Sequence, residues 1–191
     1  GLAALGLGPG DRLLLMLRNR PEFHVLDTAA LFLGATPVSI YNSSSPDQIE
    51  YLANDAAVKV AVVEDRGFYQ SLSKVRQGIP SLQAVGVIDD AGLDGTGTGA
   101  DVTYAQLLAN DPIDLTAAAA TARPDDLITL IYTSGTTGPS KGVMLDHRNV
   151  CWTIECLRQA MEIDDLTGKR MVSYLPMAHI AERVTSHYQG L

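Results

Sequence analysis

Apolar runs alternate with segments of helical periodicity along most of this chain. The apolar runs occupy residues 12–18, 36–40, 58–63, 84–88 and 127–132. Segments with an i, i+3, i+4 spacing of apolar residues follow several of them. Such alternation is typical of βαβ units, in which parallel strands are joined by crossover helices. We therefore predict an α/β fold, with alternating βαβ units forming a mainly parallel sheet flanked by helices.

Turn and capping residues set the predicted ends of the elements. Asn19 is predicted to cap the first helix, with Pro21 in its first turn and Gly34 at its end. Further helices are predicted over residues 68–77 and 103–110, and an alanine-rich connector over 116–122. Residues 89–101, DDAGLDGTGTGAD, have a loop composition. Their GxGxG lacks the last glycine spacing of a dinucleotide fingerprint, so we interpret this stretch as a surface linker.

The charge balance excludes some classes of function. The chain has 14 Lys and Arg against 22 Asp and Glu, a net charge of -8, which argues against a nucleic-acid-binding surface. No apolar run approaches the roughly 20 residues that a membrane-spanning helix needs. We expect a cytoplasmic protein without a transmembrane segment.

The two cysteines, Cys151 and Cys156, are five positions apart on one predicted helix, where their side chains diverge. A disulfide between them is therefore not expected, and we expect both to be small core residues. Without a CxxC pair or a Cys/His cluster, the sequence carries no zinc or haem signature.

Residues 133–142, TSGTTGPSKG, combine five hydroxyls, three glycines and one lysine after an apolar strand. Hydroxyls, backbone N–H groups and an ammonium can all donate to phosphate oxygens, and glycine allows close approach. A plain Ser/Thr/Gly hairpin loop is the alternative. A Walker A loop is excluded because Ser140 precedes Lys141 and Gly142 follows it. Val143 begins a returning strand, so we predict a strand, a loop and a strand.

Two motifs carry a family resemblance. Residues 132–145, YTSGTTGPSKGVML, resemble the phosphate-binding signature of the adenylate-forming (AMP-binding) superfamily, which includes acyl-CoA synthetases and adenylation domains. Residues 174–183, YLPMAHIAER, are similar to its second core motif in the LPxxHxxER form of long-chain fatty acyl-CoA synthetases. Residues 10–46 are similar to the N-terminal region of the same enzymes. The order Pro139-Ser140 departs from the usual pattern, and so does Asp146, which is nevertheless a good N-cap for the following helix.

The resemblance implies an AMP-forming long-chain fatty acid:CoA ligase. Such enzymes use ATP and Mg²⁺ to convert a fatty carboxylate to acyl-AMP, and CoA as co-substrate to form the thioester. His179 and Lys141 are the implied catalytic residues, and Thr133 is the implied Mg²⁺ ligand. The implied ATP-binding residues are Thr133, Ser134, Gly135, Thr136, Thr137, Gly138 and Lys141.

The residues near His179 are expected to support the site. Glu182 and Arg183 share its helical face and are interpreted as an internal ion pair. His24, His147 and His187 have no partner pattern, and we expect them to be packing residues.

Several later motifs of the family have no match. These are an aromatic-Gly-x-Thr-Glu, a TGD aspartate and a C-terminal catalytic lysine. We therefore expect residues 1–191 to be part of the large N-terminal domain, without the rest of that domain or the C-terminal domain, and to be inactive alone. An adenylation domain that loads a carrier protein or reductase and a non-catalytic nucleotide-binding module remain alternatives. The implied partners are ATP, fatty acid and CoA; peripheral contact with the inner face of the membrane through the lipid substrate, and the oligomeric state, stay open.

Overall fold

The computed structural model describes residues 1–89, 101–133, 138–162 and 165–190. Within these ranges seven strands form one sheet, in the order β5-β4-β3-β1-β2-β6-β7. Strands β1 to β6 pair in parallel, and β7 pairs with β6 in the antiparallel sense. The predicted α/β class with a mainly parallel sheet is confirmed. The strands are β1 (Arg12–Met16), β2 (Thr36–Ser39), β3 (Val60–Val63), β4 (Ala84–Val87), β5 (Val102–Thr103), β6 (Leu127–Thr133) and β7 (Lys141–Asp146).

Helices connect these strands and cover both faces of the sheet. The α-helices are α1 (Pro21–Phe32), α2 (Pro46–Asp55), α3 (Arg66–Ser73), α4 (Tyr104–Leu108), α5 (Leu115–Ala119), α6 (His147–Ala160) and α7 (Ile180–Glu182). A π-helical turn, Arg183–His187, continues α7. Short 3₁₀ helices lie at Leu2–Leu5, Arg76–Gly78 and Tyr188–Gly190.

Strand β1 shows why the sequence reads as continuous apolar runs. Its alternate side chains enter two different cores, with Leu13 and Leu15 on one face of the sheet and Leu14 and Met16 on the other. All four are almost completely buried. A strand covered by helices on both faces needs apolar residues at every position, which removes the period-two pattern of a half-exposed sheet.

The structure changes several of the predicted element ends. Arg20, rather than Asn19, is the N-cap of α1, and it has no side-chain capping bond. Strand β5 precedes α4 and was not predicted. The predicted linker at residues 89–101 lies mostly outside the described residues. Asp146 is the N-cap of α6, as predicted, and it forms a capping box with Asn149.

Helix α6 corrects the prediction for the cysteines. Its apolar contacts run through Val150, Ile154 and Leu157, which are spaced by one helical turn. Cys151 and Cys156 flank that stripe and are exposed free thiols, so the prediction that they are core residues was wrong. Within the described ranges, we find no helix whose length and apolar character would allow it to cross a membrane.

Candidate active site

The β6–β7 hairpin presents the first group of predicted site residues. Thr133 ends β6 and lies directly opposite Lys141, the first residue of β7, and both side chains are exposed. Gly138 has a positive φ of 101°, a conformation that favours glycine. Strand β7 returns antiparallel to β6, as predicted. Ser134, Gly135, Thr136 and Thr137 lie outside the described residues.

A cleft of about 430 Å³ opens beside this hairpin, and His179 lines it together with Thr133. The same cleft is lined by Tyr41, Ser43, Ser44, Gln48, Tyr51, Leu52, Ile131, Tyr132, Ser140, Ala178 and Ile180. Two segments far apart in sequence, the hairpin and the LPxxHxxER segment, therefore meet at one cleft. The hydroxyl-rich turn at residues 41–45 was missed as a site element, although its position after a parallel strand could have indicated it.

His179 is the N-cap of α7. Its Nδ1 accepts a hydrogen bond from the backbone N–H of Ala181 at 3.2 Å. Because Nδ1 accepts, the neutral imidazole carries its proton on Nε2. The backbone N–H of His179 donates to the carbonyl of Pro176 at 2.8 Å, which fixes the turn into the helix.

Asn19 holds the LPxxHxxER segment against the carboxyl end of β1. Its amide Nδ2 donates to Ser173 Oγ at 2.7 Å and to the carbonyl of Leu175 at 2.8 Å. The backbone N–H of Leu175 in turn donates to Glu182 Oε2 at 3.1 Å. Asn19 therefore acts as a long-range anchor and not as the predicted helix cap.

Glu182 lies at the other end of the LPxxHxxER segment and accepts hydrogen bonds that hold this segment in place. Ser186 Oγ donates to its Oε1 at 2.6 Å. Burial alone would raise the pKa of Glu182, but the hydrogen bonds from Ser173, Ser186 and Leu175 lower it below its ordinary value. The buried carboxylate is thus satisfied by neutral donors.

Arg183 forms its ion pair with α1, and the interpretation of an internal Glu182–Arg183 pair was wrong. The Arg183 guanidinium donates to Oδ1 of Asp27, and both side chains are completely buried. Its Nε also donates to the hydroxyl of Tyr188 at 2.9 Å. Burial opposes the charge on Arg183, but Asp27 raises the Arg183 pKa above its ordinary value. The pair connects α1 to the segment that carries His179.

Two of the histidines expected to be packing residues have polar partners. His187 Nε2 lies 2.9 Å from Asp27 Oδ2, and His187 Nδ1 lies 2.9 Å from His24 Nδ1. One Nδ1 must donate and the other accept, because two protonated rings would place two N–H groups face to face. The partners are more than 150 residues apart in the sequence, so local pattern could not indicate them.

The His24–His187 pair predicts how the free energy of unfolding depends on pH. Burial, followed by the charge of His187, lowers the pKa of His24 below 6.5. As the pH falls through about 6.5, the unfolded chain binds this proton before the folded chain does, so the free energy of unfolding decreases. The decrease ends once His24 is also protonated in the folded state. The groups that act on His24 are His187, Asp27, Arg183 and Glu182.

Urea unfolding between about pH 7.5 and about pH 5 measures this effect. His24→Gln should show a flatter decrease than the wild type, and His147→Gln on α6 is the matched control. An unchanged slope in His24→Gln would assign the pH dependence to other groups.

The model of the family described as AMP-binding enzyme matches residues 1–191, which is the whole chain. The chain belongs to the AMP-binding enzyme family. The two motifs of this AMP-binding chain thus occur within a family match that extends well beyond them.

Individual relatives agree with the family match. The AMP-binding chain is 34% identical over 190 residues to the long-chain-fatty-acid–CoA ligase FadD15 of Mycobacterium bovis, covering 97% of this chain and 30% of the relative. It is similar in fold to a long-chain-fatty-acid-CoA ligase, FadD1, from Archaeoglobus fulgidus, with a TM-score of 0.71 and 22% identity over 96% of this chain and 34% of that one.

A carboxylic acid reductase also shares the fold. The A-PCP didomain of carboxylic acid reductase from Segniliparus rugosus, in complex with AMP, matches with a TM-score of 0.73 and 24% identity, covering 93% of this chain and 27% of that one. The AMP-binding chain spans about 30% of the length of FadD15.

Proposed function

We propose that the chain is part of the large N-terminal domain of an AMP-forming long-chain fatty acid:CoA ligase. In the first step a carboxylate oxygen of the fatty acid attacks the α-phosphorus of ATP. The P–O bond to pyrophosphate breaks, giving acyl-AMP. The thiol of CoA then attacks the acyl carbon, AMP leaves, and the thiol proton is released. We place this reaction in the cytoplasm, with peripheral contact at the inner face of the membrane through the lipid substrate.

One observation supports this proposal most. Thr133 and Lys141 lie opposite each other on the hairpin, beside the cleft that His179 lines. An exposed hydroxyl and an exposed ammonium at the base of one hairpin suit the β- and γ-phosphates of ATP. Phosphoryl-transfer chemistry mainly requires that negative charge on the phosphates is stabilised by groups at fixed positions. It needs little covalent catalysis by side chains.

Thr133 is the proposed protein ligand of Mg²⁺. Within the described ranges, we find no group of three or more His, Cys, Asp or Glu that would form a metal site by itself. A single protein hydroxyl, that of Thr133, fits Mg²⁺ that is bound to a nucleotide, because Mg²⁺ keeps several waters and takes substrate phosphates as ligands. When bound, Mg²⁺ neutralises phosphate charge, and Thr133 would hold it beside the hairpin.

The acid is proposed to bind on the His179 side of the cleft. Leu52, Ile131, Ala178 and Ile180 give this cleft apolar surface that suits an acyl chain. The imidazole of His179 would donate from Nε2 to a carboxylate oxygen and so orient the carboxylate toward the nucleotide.

The carrier-loading alternative has its own support. The fold similarity to the carboxylic acid reductase didomain is as high as that to the CoA ligase FadD1. Both alternatives share the adenylation step and differ in the thiol that accepts the acyl group. The thiol acceptor is therefore tested separately from adenylation.

ATP–pyrophosphate exchange that depends on fatty acid tests the proposed function. The protein translated from the whole reading frame that contains residues 1–191 is assayed with short, medium and long fatty acids, and then with CoA as acceptor. Exchange that increases with long acids, followed by release of acyl-CoA, is the expected result. Exchange without acyl-CoA would favour a carrier thiol, and the absence of exchange with every acid would favour a non-catalytic nucleotide-binding module.

His179→Ala should reduce adenylation of the acid while leaving the fold intact. His179 is exposed, and its side chain makes one capping hydrogen bond, so the expected loss of stability is about 0.5–2 kcal/mol. The loss of a hydrogen bond to a carboxylate should reduce exchange by roughly 10- to 150-fold. Exchange rates are measured across the acid panel, and normal rates with every chain length would assign His179 to a structural role.

A further inference from the structure

Helix α2 contacts both stems of the β6–β7 hairpin. The hydroxyl of Tyr51 donates to the carbonyl of Ser140 at 2.8 Å, next to Lys141. On the other stem, the hydroxyl of Tyr132 donates to Asp55 Oδ2 at 2.7 Å. Tyr51 and Asp55 are four residues apart and therefore lie on the same face of the helix. One helical face thus binds the residue before Lys141 and the residue before Thr133.

Gly142 makes the second of these contacts possible. Gly142 lies directly opposite Tyr132, and a Cβ at this position would lie 3.1 Å from Cζ of the Tyr132 ring. A larger residue would therefore push the ring away from β7. The ring instead lies against β7 and extends its hydroxyl to α2. Burial and the hydrogen bond to Asp55 raise the pKa of Tyr132, so the phenol remains a donor.

Helix α2 is itself held firmly to the sheet. Its N-terminus has a capping box formed by Ser45 and Gln48. At its C-terminal end, the guanidinium of Arg12 on β1 donates to the carbonyls of Ala56 and Ala57, the latter at 2.9 Å. The helix therefore offers a fixed reference for the hairpin, whose outer strand β7 pairs only with β6 among the described strands.

We propose that Tyr51 and Asp55 are positioning residues that fix the two stems of the phosphate-binding hairpin before ATP binds. This inference rests on the proposed function. Ordering a backbone on binding costs conformational entropy, and tethering the residues next to Thr133 and Lys141 removes part of that cost from the binding step. Neither residue needs to touch the nucleotide for this effect.

The decisive variant is Tyr51→Phe in the product of the uninterrupted reading frame. The Tyr51 residue is 39% exposed, and the substitution removes only the hydroxyl, so the fold should be unaffected. The equilibrium dissociation constant for ATP and the KM for ATP in exchange should both rise about 2- to 12-fold, the factor expected for one neutral hydrogen bond. The KM for the fatty acid should not change.

Asp55 provides a second, independent variant. Asp55→Ala removes the acceptor of the Tyr132 hydroxyl and should weaken ATP binding to a similar degree. Asp55→Asn retains an acceptor oxygen and should restore most of the wild-type affinity. Tyr104→Phe on α4, at the far end of the sheet, is the matched control for loss of a tyrosine hydroxyl. Circular dichroism and urea midpoints check that each variant is folded.

The outcomes separate this inference from the proposed function. Wild-type exchange with unchanged ATP affinity in both Tyr51→Phe and Asp55→Ala would overturn the positioning role alone. An equal rise in the KM values for ATP and acid would also overturn it, because it would indicate a general structural effect. A wild-type enzyme that neither binds nor exchanges ATP would overturn the proposed function and the inference with it.

Discussion

Replacing Asp27 with Asn is expected to reduce the free energy of unfolding by about 3–5 kcal/mol, because it leaves the buried charge of Arg183 without its counter-ion. Both side chains are completely buried in the folded chain. Asp27 also accepts from His187, so the substitution weakens two contacts between α1 and the π-helical turn. Urea unfolding at neutral pH measures the loss.

Two further variants make this prediction specific. Arg183→Met in the Asp27→Asn background should recover part of the stability, since it removes the uncompensated charge. Arg148→Gln breaks an exposed ion pair with Asp125 and should cost at most about 1 kcal/mol. Equal losses of unfolding free energy in Asp27→Asn and Arg148→Gln would show that the buried Asp27–Arg183 pair contributes no more to stability than an exposed pair.

Replacing Lys141 with Ala should reduce fatty-acid-dependent ATP–pyrophosphate exchange by about 10- to 150-fold. The ammonium is expected to donate to charged phosphate oxygens, and such a bond contributes about 1.5–3 kcal/mol, at about 1.4 kcal/mol for each factor of ten in rate. Binding of the fatty acid should remain nearly intact, because Lys141 lies across the hairpin from Thr133 and does not line the cleft beside His179. Exchange is measured at saturating acid over a range of ATP concentrations.

Two further variants, Lys141→Arg and Lys74→Ala, serve as controls for this experiment. Arg retains the positive charge and should keep part of the activity, although its planar group does not replace an ammonium fully. Lys74 is the C-cap of α3, and its loss controls for removal of one positive charge. If Lys141→Ala shows the same ATP dependence as the wild type, Lys141 does not contact the phosphates.

The sequence predicted the architecture because its strongest signal is local. The buried strand β1 has five consecutive residues that are apolar or have apolar stems, and it is buried over four of them. The same logic located β6 and the returning strand β7, which flank a sequence whose composition suits phosphate. The Asp146 N-cap was also predicted, because a helix cap depends on residues only a few positions away.

Contacts between distant segments could not be predicted in the same way. Asp27 and Arg183 are 156 positions apart, and Tyr51 and Ser140 are 89 apart. A single sequence carries no information on which distant polar residues will meet. Asn19 illustrates the result, since its position before Pro21 indicated a helix cap while its real partners lie near residue 175.

The sheet order has a consequence for how the chain folds during synthesis. Strands β1 to β4 pair among themselves within the first 87 residues, whereas β6 pairs with β2 about 90 positions upstream. Pairings over long sequence separations form slowly, because loop closure must precede them. On the ribosome, the N-terminal strands can therefore assemble first and present the open edge of β2 as a template. The β6–β7 hairpin and the His179 segment come later in the chain, so the candidate cleft forms only when a preformed part of the sheet is already in place.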